Sequence, residues 1–382
     1  MMTDVFIASD NILSPLGSTT DENFSQLTKN VSGIKQHSNT MISAEPFYAS
    51  LFDNNTRFKI DNNNGFYTKF EQLLISSILD TLQKSGIEKI DKKTVLIISS
   101  TKGNISLLET EQYNPELRKR ISLHHSAKLV AEYFHFTNAP LVVSNACISG
   151  LVGIITAMRL IQSGVYENAV IAGADVISKF VLSGFQSFQA ISPTPCKPFD
   201  KDRDGINLGE GAATIILSSN KKYANEIKMT GGATSNDANH ISGPSRTGEE
   251  LSQVINKVMQ DAAVSAIDIN FISAHGTATM YNDEMEAKAI SLANLQMVPV
   301  NSLKAYYGHT LGAAGLIESI ITIQSMKKNI VLPSKGFQQM GVTGGINICN
   351  TLQHVSLKNC LKTASGFGGC NAAVVFSKAS HH

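Results

Sequence analysis

Cys147 lies in the run Ser144-Asn145-Ala146-Cys147-Ile148-Ser149-Gly150, between a β-branched segment and an apolar helical pattern. Leu141, Val142 and Val143 read as a buried strand. Leu151, Ile154, Ile155, Met158 and Ile161 then recur at helical spacing, with Gly164 as the stop. A cysteine where a strand turns into a helix meets unpaired N–H groups and the positive end of the helix dipole. Both favour a thiolate. Taken alone, such a cysteine is more often a structural core residue. The polar residues later in the chain reverse that preference. His275 follows the apolar run Phe271-Ile272-Ser273-Ala274 and precedes Gly276, so it faces a cleft rather than a core. Thr277 and Thr279 add hydroxyl donors beside it. Lys304 and His309 occupy a segment rich in glycine and alanine, where an ammonium is partly buried and needs a carboxylate partner. Phe367 is flanked by Gly366, Gly368 and Gly369, which let a backbone swing through conformations closed to other residues. A thiol with two imidazoles is equipment for nucleophilic catalysis.

The elements that must hold these residues alternate between strand and helix. Residues 5–8 form a strand and residues 13–17 a turn, with a helix from Thr20 through Leu27. Residues 36–66 are polar and Asn-rich and read as a surface excursion. A helix over 69–85 places Phe70, Leu73, Leu74, Ile78 and Leu82 on one face and ends at Gly86. Residues 95–99 and 169–175 are continuous buried strands, and residues 372–376 form another. The charged stretch Asp200–Asp204 reads as a solvated loop. Ser149-Gly150-Leu151 at the head of one Ile-rich helix is echoed by Ala314-Gly315-Leu316 at the head of another. Such an echo suggests two stacked, pseudo-duplicated α/β halves, divided as residues 1–220, with the nucleophile, and 221–382, with the two histidines.

Composition narrows the classes. The 382 residues carry 32 basic and 31 acidic side chains, a net charge of +1, so no global field draws the chain to nucleic acid or an anionic membrane. Five scattered cysteines without a C-x-x-C pair point to a reducing, cytoplasmic setting rather than a disulfide framework. No apolar run reaches membrane-spanning length, so membrane insertion is not expected. A P-loop, a dinucleotide fingerprint and metal-ligand spacing are all missing, and His124-His125 is not taken as a metal site.

Asn145-Ala146-Cys147-Ile148-Ser149-Gly150 resembles the nucleophile elbow of β-ketoacyl-[acyl-carrier-protein] synthases, the condensing enzymes of the thiolase fold. The other motifs of that family follow in its order. His275-Gly276-Thr277-Ala278-Thr279 with Asp283 and Glu286 is similar to His-Gly-Thr-x-Thr…Asp-x-x-Glu. Residues 302–315 match Ser-x-Lys-x-x-x-Gly-His-x-x-x-Ala-Ala-Gly, and residues 366–369 match the mobile Gly-Phe-Gly-Gly loop. Cys370 replaces the usual threonine after that loop. Asp237-Ala238-Asn239-His240 resembles the second loop lying against it, with His240 read as an ordinary loop histidine. Thr101-Lys102-Gly103-Asn104 replaces the glycine-rich turn of many members and is more typical of pigment- or aryl-polyene-associated ones.

The resemblance implies a five-layer α-β-α-β-α fold and a Cys-His-His condensing enzyme. Cys147 would carry the acyl group as a thioester, with the N–H groups of Cys147 and Phe367 as oxyanion hole. His275 and His309 would stabilise the enolate left when a malonyl thioester loses carbon dioxide. Lys304, paired with Glu318, would keep the site polarised and order the histidines. Thr277, Thr279 and Gly368 would meet the phosphopantetheine arm of acyl carrier protein, the expected partner, with no metal or other cofactor. The assembly implied is a homodimer, or a heterodimer with a chain-length-factor-like subunit. Two other readings are a chain-length-setting subunit, which lacks the nucleophile, and a thiolase, which needs a second catalytic cysteine.

Overall fold

Two matching series of five strands carry the fold. The computed structural model describes residues 3–53, 55–60, 66–238 and 243–379, so Asn239 and His240 lie outside the described residues. The first series is β1 (Val5–Leu13), β2 (Thr94–Ser99), β3 (Leu141–Val143), β4 (Asn168–Asp175) and β5 (Gly211–Ser218). The second is β6 (Ile227–Asn236), β7 (Phe271–Ser273), β8 (Pro299–Asn301), β9 (Asn359–Gly366) and β10 (Cys370–Lys378). Across the sheets the orders are β3-β2-β4-β5-β1 and β8-β7-β9-β10-β6. Strand directions also match. β2 runs parallel to β3 and β4, and β7 runs parallel to β8 and β9, while the remaining pairs within each series are antiparallel. A short pairing of β1 with β6 joins the two sheets at one end.

The helices are α1 (Thr20–Thr28), α2 (Lys69–Ser85), α3 (Ser149–Gln162), α4 (Lys179–Ser187), α5 (Glu249–Asp261), α6 (Met280–Leu292) and α7 (Ala314–Lys328). α2 covers the outer face of the first sheet and α5 that of the second, with α6 packed on α5. α3 and α7 touch strands of both sheets and form the middle layer. Every residue of α7 from Ala314 to Met326 is buried, as a helix between two sheets requires. The layers therefore follow the expected α-β-α-β-α order.

The repeated Gly-Leu marks the place where the middle helices meet. A Cβ on Gly150 would lie 2.8 Å from the Leu316 backbone nitrogen, and one on Gly315 would lie 2.7 Å from that of Leu151. Neither position accommodates a side chain. This contact brings together the segments that leave β3 and β8, the third strand of each half. One carries Cys147 and the other His309.

Several sequence expectations change. β3 is not buried: it is the outermost strand of its sheet, and Leu141 is 37% exposed. Its apolar composition belongs to an edge whose outer side has no partner among the described residues. Residues 36–66 are not wholly an excursion, because Phe47–Ser50 pairs with Lys35–His37 and with Leu208–Gly209, burying Phe47, Ala49 and Phe52. The Asp200–Asp204 stretch is only half solvated. Asp200 accepts backbone N–H bonds from Gln338 and Gln339, and buried Arg203 donates to the carbonyls of Gly341, Thr279 and Met280. Loops distant in sequence supply the partners that make this charge tolerable inside. Asn104 of the divergent turn is a structural hub, buried and bonded to Thr68, Glu71 and Ser126.

Gly150→Ala is expected to lower stability by roughly 1–3 kcal/mol, since backbone rather than a movable side chain blocks the added methyl. Gly184→Ala, on the open face of α4 with nothing within 4 Å, is the neutral or slightly stabilising control. Thermal melts of the two variants check the contact.

Candidate active site

Cys147 emerges from a strained turn. Ala146 has φ +43°, a left-handed conformation uncommon for alanine, and it directs the next residue out of the strand. Ser149 holds the turn: its hydroxyl accepts from the Asn145 N–H at 2.8 Å and donates to the Ala146 carbonyl at 2.6 Å. Across the helix contact stand His275, just past β7, and His309, after the short helix Lys304–Tyr307. The Cys147 sulfur and one nitrogen from each ring lie within 4.8 Å of one another, and all three residues are buried. The rings meet edge to face, 5.3 Å between centroids. Cys147, His275, His309, Thr277, Thr279 and Phe367 line one cavity of about 390 Å³.

His275 is held from both sides of its backbone. Glu286 on α6 accepts the N–H groups of His275 and Gly276, both at 2.8 Å, and Asp283 accepts those of Thr277 and Ala278. Lys304 lies behind the ring, outside the cavity, and bonds the His275 carbonyl at 2.9 Å while sitting 3.4 Å from Nδ1. An ammonium has no lone pair, so Nδ1 accepts and the ring proton rests on Nε2. Both histidines are held well below the usual imidazole range, first by burial and then by the Lys304 charge. They are therefore neutral donors. Neither ring nitrogen of His309 has a hydrogen-bond partner among the described residues, an unusual state for buried polar atoms that a substrate would relieve.

Cys147 departs from the expected thiolate. Burial pushes its thiol up to about 12, and the neighbouring Cys370 adds to the rise. Lys304 and a hydrogen bond from the Phe367 N–H pull the other way without prevailing. The reason is geometric. Cys147 precedes Ile148, the N-cap of α3, and is buried at the cavity wall. Desolvation there exceeds the opposing pull of Lys304 and the Phe367 N–H.

The Lys304–Glu318 ion pair is present and fully enclosed. Sequence reasoning missed that Glu318 serves two lysines. Its other oxygen is 2.7 Å from the Nζ of Lys362, which has no exposed surface. A lysine inside the apolar run leading to Gly-Phe-Gly-Gly was the available signal. Gly369, rather than Gly368, lines the cavity, and Gly368 beside it has φ +89°. Thr277 and Thr279 share a hydroxyl hydrogen bond of 2.9 Å at the cavity wall. Cys370 does not line the cavity; its sulfur faces the Phe367 carbonyl at 3.4 Å.

Phe367 forms the rim. Its ring is 39% exposed and leans on Phe185 and Phe188, 5.8 and 5.4 Å between centroids. The left-handed backbone of Gly368 and Gly369 follows it.

Residues 2–222 match the family described as beta-ketoacyl synthase, N-terminal domain, and residues 227–338 match beta-ketoacyl synthase, C-terminal domain. The chain belongs to the beta-ketoacyl synthase family. Its condensing chemistry is thus an acyltransferase activity. The chain is 28% identical over 419 aligned positions to 3-oxoacyl-[acyl-carrier-protein] synthase 2 of Vibrio harveyi, covering 98% of each. With the synthase of the same name from Staphylococcus aureus strain N315 it shares 27% over 409 positions, again covering 98% of each. Among solved structures, the ishigamide ketosynthase/chain length factor superposes with a TM-score of 0.91 at 23% identity, covering all of both chains. A ketosynthase in complex with its chain length factor from Xenorhabdus doucetiae gives 0.88 at 24%, covering 99% of this chain and 98% of that one. The five-layer thiolase-type fold is therefore shared with known ketosynthase structures.

Two outcomes follow from this geometry. The rate of Cys147 alkylation by iodoacetamide, followed by mass spectrometry, is expected to climb with pH beyond 9 without levelling, because the thiol's pKa is raised to about 12. A plateau below pH 8 would show the helix end prevailing over burial. Phe367→Ala keeps the backbone donor but removes the rim ring. With so exposed a side chain it should melt within about 1 kcal/mol of the parent, yet change the rate or order of acyl loading. Unchanged loading would show that the ring does not control access to Cys147.

Proposed function

We propose that the chain joins an acyl group held on Cys147 to a malonyl unit on acyl carrier protein. The observation that carries this reading is the burial of one thiol and two neutral imidazoles around a single cavity.

In the first half-reaction the Cys147 sulfur attacks the carbonyl of an acyl thioester, and the tetrahedral oxyanion rests on the N–H groups of Cys147 and Phe367. The carrier's thiolate leaves and takes up the proton that the cysteine gave up. In the second, malonyl thioester occupies the cavity with its carbonyl oxygen between His275 and His309. Breaking the bond to the carboxylate releases carbon dioxide and leaves the electron pair as an enolate, which the two N–H donors stabilise. Its carbon attacks the Cys147 thioester, the sulfur departs with the bonding pair and takes a proton from solvent, and β-ketoacyl carrier protein results. In this reading Thr277 and Thr279, which line the cavity, bind the phosphopantetheine arm. No other cofactor enters this scheme.

The open edge of β3, one turn away from Cys147, is the surface we assign to a second subunit, identical or of chain-length-factor type. Two structural neighbours are themselves ketosynthase/chain length factor assemblies. The cytoplasm is the setting proposed: all five cysteines are free, and among the described residues no helix is long and apolar enough to cross a membrane. A fatty acid, polyketide or polyene product is separated by offering a panel of acyl carrier thioesters with malonyl carrier and reading product masses. The Thr101–Asn104 turn favours a polyene or pigment product.

Cys147→Ala should abolish acyl-enzyme formation and condensation while leaving slow malonyl decarboxylation, since both imidazole donors survive. His275→Ala and His309→Ala should each cost roughly 3 kcal/mol in decarboxylation and retain transfer of acyl groups to Cys147. Acyl transfer and carbon dioxide release, measured separately, check the division of labour. Elongation by the Cys147 variant would overturn it.

A further inference from the structure

Lys362 has no role in the chemistry above, yet it is one of the largest fully buried side chains. It lies within β9, and its Nζ is surrounded by acceptors alone. These are the carbonyls of Ser273 and Ala274 at 3.2 Å each, that of Thr363 at 2.6 Å, and Glu318 Oε2 at 2.7 Å. Such a shell fits an ammonium, whose three protons are all donors, better than an amine that must also accept.

The carbonyls it holds belong to the residues just before His275. Lys362 takes those of Ser273 and Ala274, and Lys304 takes that of His275 itself. Three successive carbonyls at the end of β7 are thus each bonded to an ammonium. The next four N–H groups are bonded to Glu286 and Asp283. Glu286 also accepts from Thr363, the residue after Lys362. The strand end is fixed on both sides by charge.

Glu318 couples the two lysines. Lys304 can sit against Nδ1 of His275 only while its carboxylate partner keeps its orientation, and Lys362 secures the second oxygen of that carboxylate. We infer that Lys362 is a positioning residue for His275, acting through the backbone of β7 and through Glu318 on Lys304. It does not line the cavity. Its effect should therefore fall on the step that uses His275 and spare the step that uses the Cys147 sulfur. Cutting one ammonium from a shared buried carboxylate is also costly to stability, which burial alone would explain. The test must separate the two effects.

This inference rests on the condensing reading, and the assay distinguishes their failures. Lys362→Met is compared with the parent for carbon dioxide release from malonyl carrier protein and, separately, for single-turnover acylation of Cys147 by mass. Decarboxylation is expected to fall roughly tenfold or more, with acylation within about twofold per folded molecule. Adding Lys362→Met to His275→Ala should then produce no further loss of decarboxylation, because the residue acts through that ring. Lys362→Gln, which keeps donors but not charge, supplies the same comparison where the methionine variant does not fold. Equal loss in both steps, no loss in either, additive loss on His275→Ala, or failure of both variants to fold overturns the assignment. A parent chain that releases no carbon dioxide overturns the condensing reading instead.

Discussion

The backbone contact between the two middle helices is the constraint on which the site depends. α3 and α7 cross where Gly150 and Gly315 each face the other's leucine nitrogen, with no space for a Cβ. A larger residue at either position would separate the helices and the segments that precede them. Those segments carry Cys147 and His309, which occupy equivalent places in the two halves of a duplicated fold. A nucleophile and a donor 162 positions apart are thus placed within reach by a backbone contact in the middle layer.

Around that contact the polar groups are arranged so that the reactive ones are uncharged and the supporting ones are not. Burial keeps the cysteine a thiol and the imidazoles neutral. The ions nearest the imidazoles stand behind them: Lys304, Lys362 and Glu318, with Glu286 and Asp283 on the opposite side of the His275 loop. Each of these ions meets opposite charge or backbone dipoles, the condition under which ionised groups persist in a dry interior. The result suits a reaction in which negative charge develops on a carbonyl oxygen. Donors are already aimed into the cavity, and little solvent must be reorganised as the charge appears.

The rim differs from this rigid interior. Phe367 stands beside left-handed glycine backbone and its ring leans on two other exposed or half-exposed phenylalanines, so swinging the ring alone breaks stacking and leaves the backbone contacts of Phe367 with Cys147 and Cys370 in place. On the other side, the edge strand β3 ends three residues before Ala146. Anything that pairs with this edge lies close to the strained turn, so an assembled partner would bear directly on the nucleophile.

The sequence alone determined the motifs and their order, and with them the family and the two-half architecture. These features are local or periodic: a strand-to-helix turn at Cys147, a strand-end histidine before glycine, a glycine-flanked phenylalanine, and a Gly-Leu echo at the heads of two helices. Burial and proximity are properties of the packed whole, and tertiary structure decided them. Helix-end electrostatics favoured a thiolate at Cys147, but the surrounding atoms withdrew the water that would have supported one. The apolar residues of β3 read as core because a pattern does not reveal which strand stands at an edge. Asp200 and Arg203 read as solvated because their partners lie 76 to 139 positions away. Lys362 stands out in sequence only as a lysine in an apolar run; its partners, Glu318 and the end of β7, are supplied by the fold.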